Sequence, residues 1–142
     1  ISLGKITARD GGGDKSSESP RHAFDGNKGT KWYHNGATST WVECRFTKKH
    51  RKAYRGYTII SGNDCPERDP ADWRLLGSDD GKKWTLLDER KGEKFANRRQ
   101  ARSFTIAEPK AFAVYRLWID TPLKAGNGIQ ISELTFTVGK KK

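Results

Sequence analysis

Methionine is absent from this 142-residue chain, and cysteine occurs only twice. Two cysteines, Cys44 and Cys65, make neither a disulfide framework nor a zinc site. They pair only if the fold brings them together, so free thiols are expected, and they leave the compartment open. No run of ~18 apolar residues is present, which excludes a membrane-crossing helix. No signal peptide is visible, and the start at Ile1 is read as an excised domain or mature fragment. Hydrophobic content is only 33%, but Trp 5, Phe 6 and Tyr 4 are clustered enough for a folded domain and against disorder. No segment carries the 3.6-residue period of a surface helix.

Catalytic patterns are missing as well. His22, His34 and His50 lie in no metalloprotease, nucleophile-elbow or zinc-ligand context. The 17 carboxylates include no pair marked out as general acid and base. Gly11-Gly12-Gly13 lacks the Lys-Ser/Thr of a phosphate-binding loop. These absences exclude the common enzyme signatures, and a non-catalytic chain is expected.

What is plentiful is positive charge. The formal net charge is +11, a balance that favours acidic partners: nucleic acid, acidic lipid or acidic glycan. The charge is uneven. Lys48-Lys49-His50-Arg51-Lys52-Ala53-Tyr54-Arg55 is one cluster, Arg98, Arg99 and Arg102 another, and Lys140 to Lys142 close the chain. The plain alternative is a solvated surface ending in a basic tail, 139–142.

Hydrophobic periodicity predicts many short strands. Trp41 to Phe46 alternates, with Val42, Cys44 and Phe46 on one face. Tyr54 to Ile60 is rich in β-branched and aromatic residues. Trp73 to Ser78 and Lys83 to Asp88 flank Asp79-Asp80-Gly81, an Asp-Gly hairpin signal. Ser103 to Ile106, Val114 to Ile119 (read as buried on both faces) and Ile129 to Val138 complete the set. A short turn is expected near Pro20 to Phe24. Strands at about ten-residue spacing, separated by Gly and Pro turns, predict one β-sandwich or barrel domain over 1–142, with its core at about 20–138.

Two kinds of loop carry chemistry. Asp25 to Trp32 offers a carboxylate, an amide oxygen and a hydroxyl at i, i+2 and i+5 on a glycine-containing backbone. Oxygen donors so spaced suit a hard cation such as calcium, although the formal D-x-[DN]-x-[DN]-G loop is not met; the alternative is a polar turn. Elsewhere, Trp32-Tyr33-His34-Asn35, Asn63 to Pro70 and Phe95 to Arg99 mix aromatic rings with planar hydrogen-bonding groups. Flat rings stack on sugars and planar groups read hydroxyls, and rigid β scaffolds present function on such loops. Trp32 and Trp73 are equally readable as core, and Arg68 and Asp69 as a loop-stabilising ion pair.

The ordered set Ala23-Phe24-Asp25-Gly26, Thr30-Lys31-Trp32, Trp41-Val42-Glu43, Asp69 to Trp84, Tyr115-Arg116-Leu117 and Ile129 to Leu134 resembles the discoidin, or coagulation factor V/VIII type C, superfamily. Within it, the set is most similar to the family 32 carbohydrate-binding modules of secreted glycosidases. The resemblance implies an eight-stranded jelly-roll β-sandwich. It implies a structural calcium held by His22 (backbone carbonyl), Asp25, Asn27, Thr30 and Glu133. It places the ligand site on end loops, at Tyr33, His34, Asn63, Arg68, Phe95, Arg98 and Asn127. The Lys124 to Asn127 loop lacks the aromatic that sugar-stacking members often carry there, and no cysteine sits at either terminus as in the blood-clotting branch. The expected function is a monomeric, extracellular or secreted, calcium-stabilised module that binds galactose- or N-acetylhexosamine-type glycans and targets an attached enzyme. The alternatives are a discoidin-type domain that binds protein or anionic membrane, and an acidic polysaccharide held by bulk charge; nucleic acid is not favoured.

Overall fold

A computed structural model describes residues 3–13 and 17–138, so the basic tail at 139–142 lies outside the described residues. The architecture is all-β. Five strands, β1 (Gly4–Ala8), β3 (Thr40–Phe46), β8 (Val114–Pro122), β5 (Pro70–Ser78) and β6 (Thr85–Arg90), form the larger sheet in the order β1-β3-β8-β5-β6. Opposite it lies a three-stranded sheet, β10-β4-β7, built from β10 (Glu133–Thr137), β4 (Gly56–Ile60) and β7 (Ala101–Thr105). A two-stranded ribbon pairs β2 (Trp32–His34) with β9 (Ile129–Ile131). Every pairing is antiparallel.

The expected all-β sandwich therefore forms, with ten strands where eight were expected. Part of the excess comes from a break. Ile129 to Val138 reads as one strand, but the chain changes partner at Ser132. Up to Ile131 it pairs with Trp32; the Ser132 N–H then donates to the Ile60 carbonyl at 2.8 Å, and from Glu133 onward it pairs with β4. A strand that switches sheets is how sandwiches turn their corners. The sequence reading also missed β1, and it placed Trp32 to His34 in a loop. The Pro20–Phe24 turn appears as a short 3-10 helix. The Asp-Gly signal does lie between two paired strands, β5 and β6.

Alternation explains the core. On β3, Thr40, Val42, Cys44 and Phe46 are buried. They meet Tyr57 and Ile59 of β4, Trp73 and Leu75 of β5, and Leu117 and Ile119 of β8. Trp32 and Trp73 are both fully buried, and truncating such a ring costs about 3–5 kcal/mol. The free thiol of Cys44 sits in this core, where burial pushes its pKa up to about 12 and makes it unreactive.

β8 departs from expectation. Leu117 and Ile119 face the core, but Arg116 and Trp118 lie half-buried on the outer face. That face carries its own covering. The Arg116 guanidinium sits 3.9 Å from the Trp41 ring centre and 4.4 Å from that of Trp84, while pairing with Glu43 at 2.8 Å. Cation–π contacts of this kind contribute about 0.5–2 kcal/mol. Trp41 and Trp118 stand opposite each other in the β3–β8 register, so cross-strand neighbours build the layer.

Candidate functional site

The β2–β9 ribbon fixes one end of the sandwich. Trp32 anchors β2 in the core, so the next residue, Tyr33, points to the other face, as alternation in a strand demands. Its hydroxyl donates to the Asn127 carbonyl at 2.9 Å and lies 3.0 Å from Asn35 Oδ1. The Arg68 guanidinium lies over the Tyr33 ring, 4.2 Å from its centre. Arg68 also donates to Asn127 Oδ1 at 3.2 Å and to Gln130 Oε1 at 3.3 Å. Three segments remote in sequence are thus stapled together. Gly128 makes this possible: its φ is +86°, and a Cβ there would come within 2.6 Å of the His34 carbonyl and 2.7 Å of the Tyr33 ring.

Lys31 and Gln130, which sequence reasoning left out of the ligand loops, complete the cluster together with Asp64 of the Asn63 to Pro70 loop. Lys31 Nζ bonds Asp64 Oδ1 at 3.0 Å and Gln130 Oε1 at 2.9 Å. Gln130 Nε2 donates to the Asp64 carbonyl at 2.7 Å. Burial alone would raise the Asp64 pKa, but hydrogen bonds from Lys31 and Gln130, with the charges of Lys31 and Arg68, lower it. The missed signal is Gln130 itself. An amide between Ile129 and Ile131 in a fully buried triplet must be satisfied by polar partners.

The remaining candidates divide. Asn63 is exposed on the 61–69 loop. His34, next to Tyr33 on β2, faces the opposite way. Its Nδ1 lies 2.7 Å from Thr40 Oγ1, and it borders a separate hollow of about 370 Å³ with Arg9, Asp10 and Asn35. Phe95 is corrected: it is only 3% exposed, with its ring 6.4 Å from that of Trp73, so it has no open face for a sugar. Trp32, fully buried, is likewise core. Arg98 is taken by the fold. It forms a two-pronged pair with Asp69, which is 1% exposed, and it reaches the Asp64 carbonyl at 3.2 Å. The alternative reading of Arg68 and Asp69 as an ion pair does not hold: Asp69 pairs with Arg98, and Arg68 with Asp64 at 3.7 Å.

The early loop closes on itself as an oxygen-rich turn. The Asn27 N–H donates to Asp25 Oδ1 at 2.9 Å, and the Gly29 N–H to Asn27 Oδ1 at 2.8 Å. The Thr30 hydroxyl lies between Asp25 Oδ2 and the Asn27 carbonyl. His22 Nδ1 lies 3.1 Å from Asp25 Oδ2. Glu133, at the start of β10, is 2% exposed. Both of its carboxylate oxygens are buried without a completed hydrogen bond, and it shares a cavity of about 400 Å³ with Asp25 and Gly26. Burial, then the facing Asp25 carboxylate, push the Glu133 pKa up to about 8. Burial opposes ionisation of Asp25, but the facing Glu133 carboxyl, with the Thr30 hydroxyl, the Asn27 N–H and His22, outweighs it and lowers its pKa to about 2. Among the described residues, no three His, Cys, Asp or Glu side chains gather as a metal-binding group. The donors present are the Asp25 and Glu133 carboxylates, the Thr30 hydroxyl, and the Asn27 carbonyl and amide oxygens, an all-oxygen set that fits a hard cation.

A model of the family described as F5/8 type C domain matches residues 5–133. The chain belongs to that family. Solved structures share the fold of this F5/8 type C domain at low sequence identity. A family 32 carbohydrate-binding module from Clostridium perfringens, solved with GalNAc-β-1,3-galactose, superposes with a TM-score of 0.77 at 13% identity, covering 94% of each chain. A second Clostridium perfringens module, from NanJ and solved with galactose, gives 0.69 at 14% identity, covering 93% of this chain and 91% of its own. A pectin-binding carbohydrate-binding module gives 0.71 at 20% identity, covering 98% and 93%. Among curated proteins, a peptide-N(4)-(N-acetyl-β-glucosaminyl)asparagine amidase of Arabidopsis thaliana is 39% identical over 89 residues. That match spans 61% of this F5/8 type C domain and 12% of the amidase.

Proposed function

We propose that this chain is a non-catalytic carbohydrate-binding module that reads a glycan with the Tyr33–Arg68–Asn127 end, is stabilised by calcium, and holds an attached enzyme on its substrate. The observation that carries the reading is the convergence of Tyr33, Arg68 and Asn127, backed by Lys31, Asp64 and Gln130, on one end of a rigid sandwich. Planar amide and guanidinium groups there match the paired hydroxyls of a sugar ring. Arg68 covers the Tyr33 ring, and Phe95 and Trp32 are buried, so recognition rests on hydrogen bonds more than on stacking.

The ligands seen in the structural neighbours make galactose- or N-acetylhexosamine-type sugars the class to test, and the amidase relative makes a glycosylated polypeptide a fitting target. Enzyme targeting and an extracellular or secreted setting follow from the same reading. Asp25, Thr30 and Glu133, with the carbonyls of His22 and Asn27, would hold the calcium, whose charge would neutralise the two facing carboxylates. Exposed Asn63 belongs to the rim of this end. Calorimetric titration with galactose, N-acetylgalactosamine and N-acetylglucosamine, in calcium and in chelator, is the test. Saturable binding of one of them that Arg68→Ala abolishes is expected; no binding across a glycan array in calcium would overturn the reading.

A further inference from the structure

The other end of the sandwich is formed by the 47–55, 79–84 and 106–113 loops, and its electrostatics are different. Lys48, Lys49, Arg51, Lys52 and Arg55 are all exposed, as is Lys110 on the neighbouring loop. Among the described residues, none of these six cations is in an ion pair; the ion pairs lie elsewhere. Lys82 and Lys83, on the β5–β6 turn at the same end, are exposed and equally unpaired. The carboxylates facing them are Asp79, Asp80 and Glu108. Asp80 already accepts from the Lys82 and Lys83 N–H groups at 2.8 and 3.0 Å.

These cations stand on ordered backbone. The His50 N–H donates to the Thr47 carbonyl at 2.8 Å, Arg51 Nε donates to the Phe46 carbonyl at 3.1 Å, and the Tyr54 hydroxyl donates to the His50 carbonyl. The Tyr115 hydroxyl lies 3.1 Å from the Lys52 carbonyl and 3.0 Å from that of Lys110, which clamps the two loops together. Beneath them Phe46, Tyr54, Tyr115 and Phe136 pack with ring centres 5.1–5.6 Å apart. Displaying the charges on a fixed surface lowers the ordering cost of binding.

We propose that this end is a second binding surface, distinct from the Tyr33–Arg68–Asn127 end, that takes a linear acidic polysaccharide with carboxylate or sulfate groups repeating along its length. The choice among polyanions follows from what the surface offers. Tyr54, Phe112 and Tyr115 are 7%, 4% and 2% exposed. The half-buried Trp84 ring is covered by the Arg116 guanidinium at 4.4 Å, and half-buried Phe136 packs on Phe46, Tyr54 and Tyr115. The rings here are engaged by the fold and poorly placed to stack the bases of a single strand. Duplex recognition places a helix or ribbon in a groove, and the 3-10 turn Lys48–His50 is too short for that. The large exposed apolar side chains near this end are Leu86 and Val138, single residues at the edge strands of two different sheets, which together form no wedge into a bilayer. What remains is a row of ammonium and guanidinium groups suited to anionic groups spaced along a chain.

The test measures binding of heparin and of polygalacturonate to the intact chain between 50 and 300 mM NaCl. Lys48→Ser/Lys49→Ser/Lys52→Ser is compared with the parent, and Lys49→Gln/Lys110→Gln serves as a second variant on two loops. At least one of the two polysaccharides binds, and affinity falls steeply with salt. The triple variant loses at least tenfold at 50 mM and flattens the log–log salt slope by about 2–3, near one per removed charge. Heparin tighter than polygalacturonate identifies sulfate as the preferred group, and the reverse identifies carboxylate. Arg68→Ala leaves this binding intact, so failure of the sugar reading at the other end does not touch it. Unchanged affinity and slope in both variants overturn the proposal. So does tighter binding of a 20-base-pair duplex or of phosphatidylserine vesicles than of either polysaccharide at the same salt.

Discussion

The two ends of the sandwich differ in how their basic residues are used, although, among the described residues, exposed Lys91, Lys94, Arg99 and Lys124 stand without an ion pair around the Tyr33 end as well. At the Tyr33 end, Lys31, Arg68 and Arg98 are each matched by a carboxylate: Asp64 for the first two and Asp69 for the third. There a positive charge positions a loop. At the 48–55 end the cations are unpaired and exposed, and the loops are held by backbone and tyrosine hydroxyls instead. The lesson is that a net charge of +11 does not say where charge is available. Pairing geometry does, because a guanidinium forked onto a buried carboxylate, as Arg98 is onto Asp69, has already given those donors to the fold.

The largest effect that sharpens this contrast is on stability. Arg98→Ala strands the buried Asp69 carboxylate and should cost about 3–5 kcal/mol, whereas Lys49→Ala should change stability by less than about 0.5 kcal/mol. Urea denaturation midpoints measure both, and equal small effects would erase the difference between the ends. Next comes the ion loop. Calcium at a hundredfold excess over its Kd should stabilise the chain by about 2.7 kcal/mol, visible as a higher Tm that chelator reverses and Glu133→Gln abolishes. An unchanged melting curve in chelator means the 25–30 loop holds no ion.

A smaller effect separates the two binding modes. Arg68→Ala removes charged hydrogen bonds to Asn127 and Gln130, each contributing about 1.5–3 kcal/mol, and the geometry they impose on this end. Sugar affinity should therefore fall at least tenfold and the melting curve should shift down, whereas Lys49→Ala should change neither. Binding of a neutral sugar should also stay constant as salt rises; a steep salt slope there would make the Tyr33 end a polyanion site like the other. The smallest effect concerns His34. Burial, helped by Arg9 and opposed by Asp10, lowers its pKa below 6.5. The unfolded chain then binds the extra proton first, so stability contributed by neutral His34 is complete above pH 6.5 and is lost as pH falls below it. Thermal melts from pH 8 to 5 of the parent and of His34→Gln check this, with a shallower acid slope expected in the variant.

Legibility in the sequence tracked the range of the interaction. Val42, Cys44 and Phe46 announced their face because strand alternation is local. Asp79-Asp80-Gly81 announced a reversal because Gly81 alone adopts the needed positive φ, here +76°. The donor spacing from Asp25 to Thr30 was visible, since those contacts span five residues. Phe95 misled for the converse reason: a ring in a polar loop reads as exposed until a distant residue, Trp73, is seen to cover it. Arg68 and Arg98 could not be told apart, because each meets its partners across 29 residues or more of chain, except for Asp64 beside Arg68.

By itself, then, the sequence determined the material of this protein: short alternating strands, an oxygen-rich early turn, polar end loops and an excess of cations. Each follows from local periodicity or residue chemistry. The tertiary structure decided which of those cations are free and which polar groups meet. Gln130 reaches Asp64 and Lys31 across the β2–β9 ribbon, and Glu133 faces Asp25 across 108 positions, only because the chain changes sheets at Ser132. A contact made by folding distant segments together leaves no period in the sequence, and the pairing that silences one arginine and leaves a lysine free is a contact of that kind.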